Sequence, residues 1–317
     1  MHYLAHRLFA AHDRALAAQL AHHLSLKTGE DHVFLPFCDT DEETLVADVK
    51  GRRLFELDQE RLRRIRALTA IVHGPSPDDG VCMEIGYAAA LGVPVLLVTT
   101  DFQDYSSTPD GPHTVFPDPL LDALATRIIR IPQLAPSAEP PAITRYAGFA
   151  ARNHSQAQRA IEACVDAALQ LPAPTTPITL APVCPGTRST TTVYAEPSLY
   201  APPPAGFPGL AARQDITITG PTRFTSTDPL TAAHHDWTAA LGSTRIVVDA
   251  CGPETPPGAA LLIGAARATG LPVAAYLPRS TYTHASGREP NYRNLMIQYG
   301  VDATLRSAAE VTAWTGA

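Results

Sequence analysis

The chain has 317 residues, 45% hydrophobic and 17% charged, enough for a sizeable core and two domains of ordinary size, which excludes a disordered or fibrous chain. Lys and Arg number 24 against 31 Asp and Glu, a formal charge of −7, and no basic run exceeds two residues, so the counterion-releasing surface that a polynucleotide needs is lacking. The longest apolar stretches, such as 93–98, fall well short of the ~20 residues of a bilayer crossing, and His6, Arg7, His12 and Asp13 break the N-terminus, so neither a membrane span nor a signal peptide is expected. Five cysteines (38, 82, 164, 184 and 251) form no CxxC pair and suit a reducing compartment, with the cytoplasm as the expected location.

In chain order, the pattern predicts a strand at 1–4, an Ala/Leu helix at 8–24, a strand at 32–37, a helix at 54–65 and a buried strand at 68–73. A helix at 81–91, strands at 93–99 and 127–131, and a helix at 153–169 follow. Strands apolar throughout and separated by helices imply a parallel sheet covered on both faces, the doubly wound α/β class, whose ligands bind beyond the carboxyl ends of the strands. The 30 prolines bunch at 132–141, 172–185 and 202–208, and the aperiodic stretch from Leu171 places a Pro-rich linker at 171–190 between domains at 1–170 and 191–317.

Internal repetition supports that division. Asp58, Gly74, Pro75, Gly80, Gly86, Gly92 and Pro94 meet Asp236, Gly252, Pro253, Gly258, Gly264, Gly270 and Pro272, each pair 178 positions apart (236 − 58 = 178). Residues 193–201 likewise echo residues 2–10. The chain reads as a tandem duplication in which both halves share a core fold. The glycines recur because turns and helix packing need them, whereas the carboxylates of 78–84 are all missing from 256–262, so the fold does not require them. Glu84 and Asp78 therefore become functional candidates. Glu84 falls in the first turns of its helix, where the dipole favours its ionised form, and Asp78 precedes it on the connecting loop, so the two can divide nucleophile and acid roles.

Residues 1–100 resemble the nucleoside 2-deoxyribosyltransferase family, through Tyr3-Leu4-Ala5, Phe9, Asp13, Leu35-Pro36-Phe37, Phe55-Glu56-Leu57-Asp58 and above all DDGVCMEIGYAAALGVPV at 78–95. The resemblance implies a flavodoxin-like sheet and exchange of the base of a 2′-deoxynucleoside through a covalent glycosyl ester on Glu84. It further implies that Tyr3 orients that glutamate, that Asp58 and Asp78 serve base recognition and leaving-group protonation, and that Phe9 packs against the base, with Gly80 among the substrate-binding positions.

In that family a neighbouring subunit supplies an Asn-x-Met element for the 5′-hydroxyl end of the sugar, and Asn294-Leu295-Met296 is similar to it. Subtracting 178 pairs Asn294 and Met296 with Phe116 and Asp118, so the first half is expected to have lost the element. A pseudo-dimer within one chain follows, with one surviving site; further homo-oligomerisation stays open. The expected partners are a small-molecule nucleoside and a free base. No cofactor is expected, since neither GxGxxG nor a Walker pattern occurs, and no metal, since His22-His23 and His234-His235 lack ligand spacing. Cleavage or transfer at an N-glycosidic bond is the leading expectation. Hydrolysis of a nucleoside 5′-monophosphate and non-catalytic binding of a nucleoside derivative are the alternatives.

Overall fold

The computed structural model describes residues 1–40, 49–134, 144–176, 191–198, 207–210, 215–285 and 287–316. Most of the expected linker, from 177 on, lies outside these residues, as do Cys184 and the last three residues of the 193–201 echo.

In the first half, β1 (His2–Ala5), β2 (Val33–Phe34), β3 (Ala67–Ile71), β4 (Val95–Thr99) and β5 (Arg127–Arg130) form a parallel sheet in the order β2-β1-β3-β4-β5. The alternation of side chains along a strand sorts the core into two layers. Leu96 and Val98 of β4 face a cluster with Leu20 and Leu24 of α1 (Ala11–Thr28) and Ile161, Cys164 and Val165 of α5 (Arg145–Ala168). Val95 and Leu97 face the opposite side, toward α2 (Lys50–Leu62), α3 (Asp79–Ala90) and α4 (Pro119–Leu124).

The second half repeats this order as β7-β6-β8-β9-β10, with β6 (Thr191–Glu196), β7 (Ile216–Thr219), β8 (Arg245–Asp249), β9 (Val273–Tyr276) and β10 (Ala303–Leu305). Its helices are α6 (Pro229–Leu241), α7 (Pro257–Thr269), α8 (Leu295–Gly300) and α9 (Ala308–Gly316). The molecule is thus a doubly wound, flavodoxin-like α/β fold in two repeated halves.

The halves meet through α3 and α7. A Cβ on Gly86 would lie 1.9 Å from the Leu261 carbonyl, and one on Gly264 would lie 1.9 Å from the Met83 carbonyl. Only glycine lets the two backbones approach so closely, which is why it recurs at the same place in both copies. One apolar cluster runs across this contact, joining Met83, Ile85 and Tyr87 to Leu261, Leu262 and Ile263.

Several element bounds differ from the sequence pattern for local reasons. β2 is shorter than 32–37 because Pro36 lacks an N–H and the chain turns at once, with the Asp39 amide donating to the Leu35 carbonyl (3.0 Å) and the Leu35 amide to the Asp39 carboxylate (2.7 Å). Helix α4, unanticipated, starts at Pro119 after the Asp118 cap. It also corrects the alignment of the halves: the connection before α8 is two residues shorter than that before α4, so Asn294 matches Asp118 (294 − 118 = 176), not Phe116. The first half keeps a polar cap there and has not simply lost the element.

Candidate active site

At the carboxyl ends of β1 and β3 lies a cavity of about 750 Å³. The loop after β3 ends at Asp78, whose Oδ1 accepts from the Val81 amide (3.0 Å) and so starts α3. Glu84 follows on the second turn. Beneath it the Tyr3 hydroxyl, fully buried on β1, donates to Glu84 Oε1 at 2.5 Å.

Seven of the eight residues singled out from the sequence line this one cavity: Phe9, Asp58, Asp78, Gly80, Glu84, Asn294 and Met296. Tyr3, the eighth, supports Glu84 from below. Asp58 reaches the cavity from within helix α2. Phe9 stands at the edge, 71% exposed. Asn294 caps α8 by accepting from the Met296 amide (3.0 Å), and its Nδ2 would lie 2.7 Å from a Cβ on Gly80, so a side chain there would push Asn294 aside where the second half leans on the start of α3.

The expectation that the helix dipole favours ionised Glu84 needs correction. The side chain is 6% exposed, and its pKa lies well above the ordinary value. Burial is the main cause and the Asp58 carboxylate adds to it, while the Tyr3 hydrogen bond opposes both. The helix dipole is the weaker effect here, because the second half covers the helix and strips away water. Asp78 is raised to about 7, first by burial and then by Asp79, against the Val81 N–H and the Arg7 guanidinium, which lies 3.7 Å from its Oδ2.

Asp79 was not singled out from the sequence, yet it ties the halves together. Its carboxylate, 3% exposed, accepts from the Thr255 amide at 3.0 Å, and the Asn294 amide lies beside it. The signal was present: its counterpart in the other copy is Pro257. Arg7, Ser76 and Glu254 form a second bridge, both Arg7 and Ser76 donating to the Glu254 carboxylate.

The equivalent place in the second half is filled. Arg223, fully buried, donates Nε and Nη2 to both oxygens of Asp118 (2.7 and 2.9 Å) and Nη2 to Glu196 (2.5 Å), with Asp236 at 3.4 Å. Asp236 is the counterpart of Asp58. A Cβ on Gly258, the counterpart of Gly80, would strike Arg223, Asp118 and Glu196. Tyr194 corresponds to Tyr3, but Leu262 stands where Glu84 would be, and the buried Tyr194 hydroxyl has no hydrogen-bond partner among the described residues.

Residues 2–140 match the family model described as nucleoside 2-deoxyribosyltransferase. This segment, under half of the chain, is similar to the nucleoside 2-deoxyribosyltransferase family. Glu84, Asp78, Asp58 and Tyr3 all fall inside the matched deoxyribosyltransferase segment, whereas Asn294 and Met296 lie beyond it. No curated protein matches the chain. A crystal structure described as that of a conserved protein from Enterococcus faecalis V583 is 30% identical, over 31% of this chain and 61% of that one, with a TM-score of 0.25. The match thus spans less than two thirds of that protein's length. No helix among the described residues is long and apolar enough to cross a membrane.

Proposed function

We propose that the protein cleaves the N-glycosidic bond of a (2′-deoxy)nucleoside through a covalent glycosyl ester on Glu84 and passes the sugar to a second base or to water. The observation that carries this reading is the Tyr3–Glu84 pair, a buried carboxylate oriented by a phenol at the bottom of the cavity, within a segment of deoxyribosyltransferase sequence.

A Glu84 oxygen attacks the anomeric carbon as the carbon–nitrogen bond breaks, and the bonding electrons leave with the base nitrogen, which takes up a proton. Asp78, raised to about 7, carries a transferable proton near neutrality and suits that donor role. The second base, or water, then attacks from the vacated face and gives up a proton to Asp78, so two inversions yield net retention. Asp58 lines the same cavity and suits recognition of the base edge. The bond from Tyr3 holds one Glu84 oxygen and directs the other toward the sugar.

In this reading the halves 1–170 and 191–317 form a pseudo-dimer with one working site, in which Asn294 and Met296 complete the sugar pocket. The test is to incubate the protein with a 2′-deoxynucleoside and a different free base and to separate the products by chromatography. A new nucleoside marks transfer and free sugar marks hydrolysis. Neither product from deoxynucleosides, ribonucleosides or their monophosphates overturns the proposal.

A further inference from the structure

Phe37 has φ +69°, alone among the described non-glycine residues in taking a positive value. A bulky side chain in the left-handed region is strained, and such strain persists only where the surroundings enforce it. The enforcing contacts are those of the turn after β2, where Leu35 and Asp39 exchange two hydrogen bonds. Core packing does not account for the ring, which is half-buried and lines the cavity that holds Asp58 and Glu84. One face is already used: the Arg14 guanidinium lies 5.4 Å from the ring centroid, and the same guanidinium donates to the Leu8 carbonyl beside Phe9.

We propose that Phe37 is a stacking platform for a planar heteroaromatic base. The turn fixes the ring on the cavity wall, Arg14 backs one face and polarises it, and the other face receives the base. Stacking on an aromatic face tolerates different bases, because each presents a π surface. Phe37 therefore contributes affinity for purines and pyrimidines alike, and hydrogen bonds from neighbouring carboxylates choose between them. This inference rests on the nucleoside reading of the cavity.

The experiment compares wild type with Phe37→Gly, Phe37→Leu and Phe37→Tyr by calorimetric titration with adenine, hypoxanthine, cytosine and thymine, and with 2-deoxyribose alone, alongside thermal melting. Glycine relieves the backbone strain, so Phe37→Gly should melt no lower than wild type yet bind the bases about tenfold or more weakly. Phe37→Leu should lose base affinity likewise, Phe37→Tyr should keep it, and binding of the sugar should not change. Variants that bind the bases as wild type does, or that lose sugar and base affinity in proportion to a fall in melting temperature, overturn the platform role. A wild-type protein that binds no base at all overturns the nucleoside reading and the platform together.

Discussion

Asp118 and Asn294 hold the same position in the two halves, each capping a six-residue helix through its own Oδ1 and each pressed against a glycine of the opposite half. Asp118 meets Gly258 and is bound by Arg223, whereas Asn294 meets Gly80 and borders the open cavity. A one-atom difference in chemistry separates them: a carboxylate anchors an internal cation, and an amide leaves donor capacity for a ligand. Asn294→Ala should cost about 1 kcal/mol of stability through the lost cap. It should lower kcat/KM for nucleosides by about 1–3 kcal/mol of unpaired hydrogen bonding. Steady-state kinetics alongside chemical denaturation separates the two effects.

Arg223 should be a stability residue. Removing it leaves Asp118, Glu196 and Asp236 buried without their shared cation, so Arg223→Met should destabilise by about 3–5 kcal/mol. The rate per folded molecule should stay near wild type, because neither Arg223 nor its three carboxylates line the working cavity. Urea unfolding followed by circular dichroism gives the first quantity and active-site-normalised turnover the second.

The two equivalent tyrosines should respond oppositely. Tyr194→Phe removes a buried hydroxyl that has no partner among the described residues and should be neutral or stabilising. Tyr3→Phe takes away the bond that orients Glu84 and should slow turnover about tenfold or more. Melting temperatures and initial rates of the two variants check the contrast.

Burial makes Glu84 a cost to folding at neutral pH. Its folded pKa is raised, so between the unfolded value of about 4.3 and the folded value the native state binds more protons than the unfolded state, and stability falls as pH rises. Glu84→Gln should therefore melt above wild type at pH 8, and the difference should shrink as pH falls toward about 4. A melting series from pH 4 to about 8 tests the sign.

The parallel α/β class and the Glu84 helix were legible because apolar strands alternating with helices, and Asp78 six residues before Glu84, are local signals. The equivalence of Tyr3 and Tyr194 was legible as well, through the echo between 2–10 and 193–201. What escaped the sequence was set by contacts between the halves. A fixed offset of 178 does not see the shortened connection before α8, so Asn294 was matched to Phe116. The burial of Glu84 depends on α7 and α8 covering α3, which no helix-position argument contains. Arg223 precedes α6, outside the segments that align by the constant offset, and its carboxylates come from distant positions: Glu196 and Asp236 from its own half and Asp118 across the contact between the halves.

The most direct measurement is mass spectrometry of the protein denatured after brief exposure to a 2′-deoxynucleoside. A deoxyribosyl mass on the peptide containing Glu84, absent from Glu84→Gln, is the expected result. Turnover of the nucleoside without any such adduct, together with a Glu84→Gln rate within about tenfold of wild type, would contradict a covalent role for Glu84.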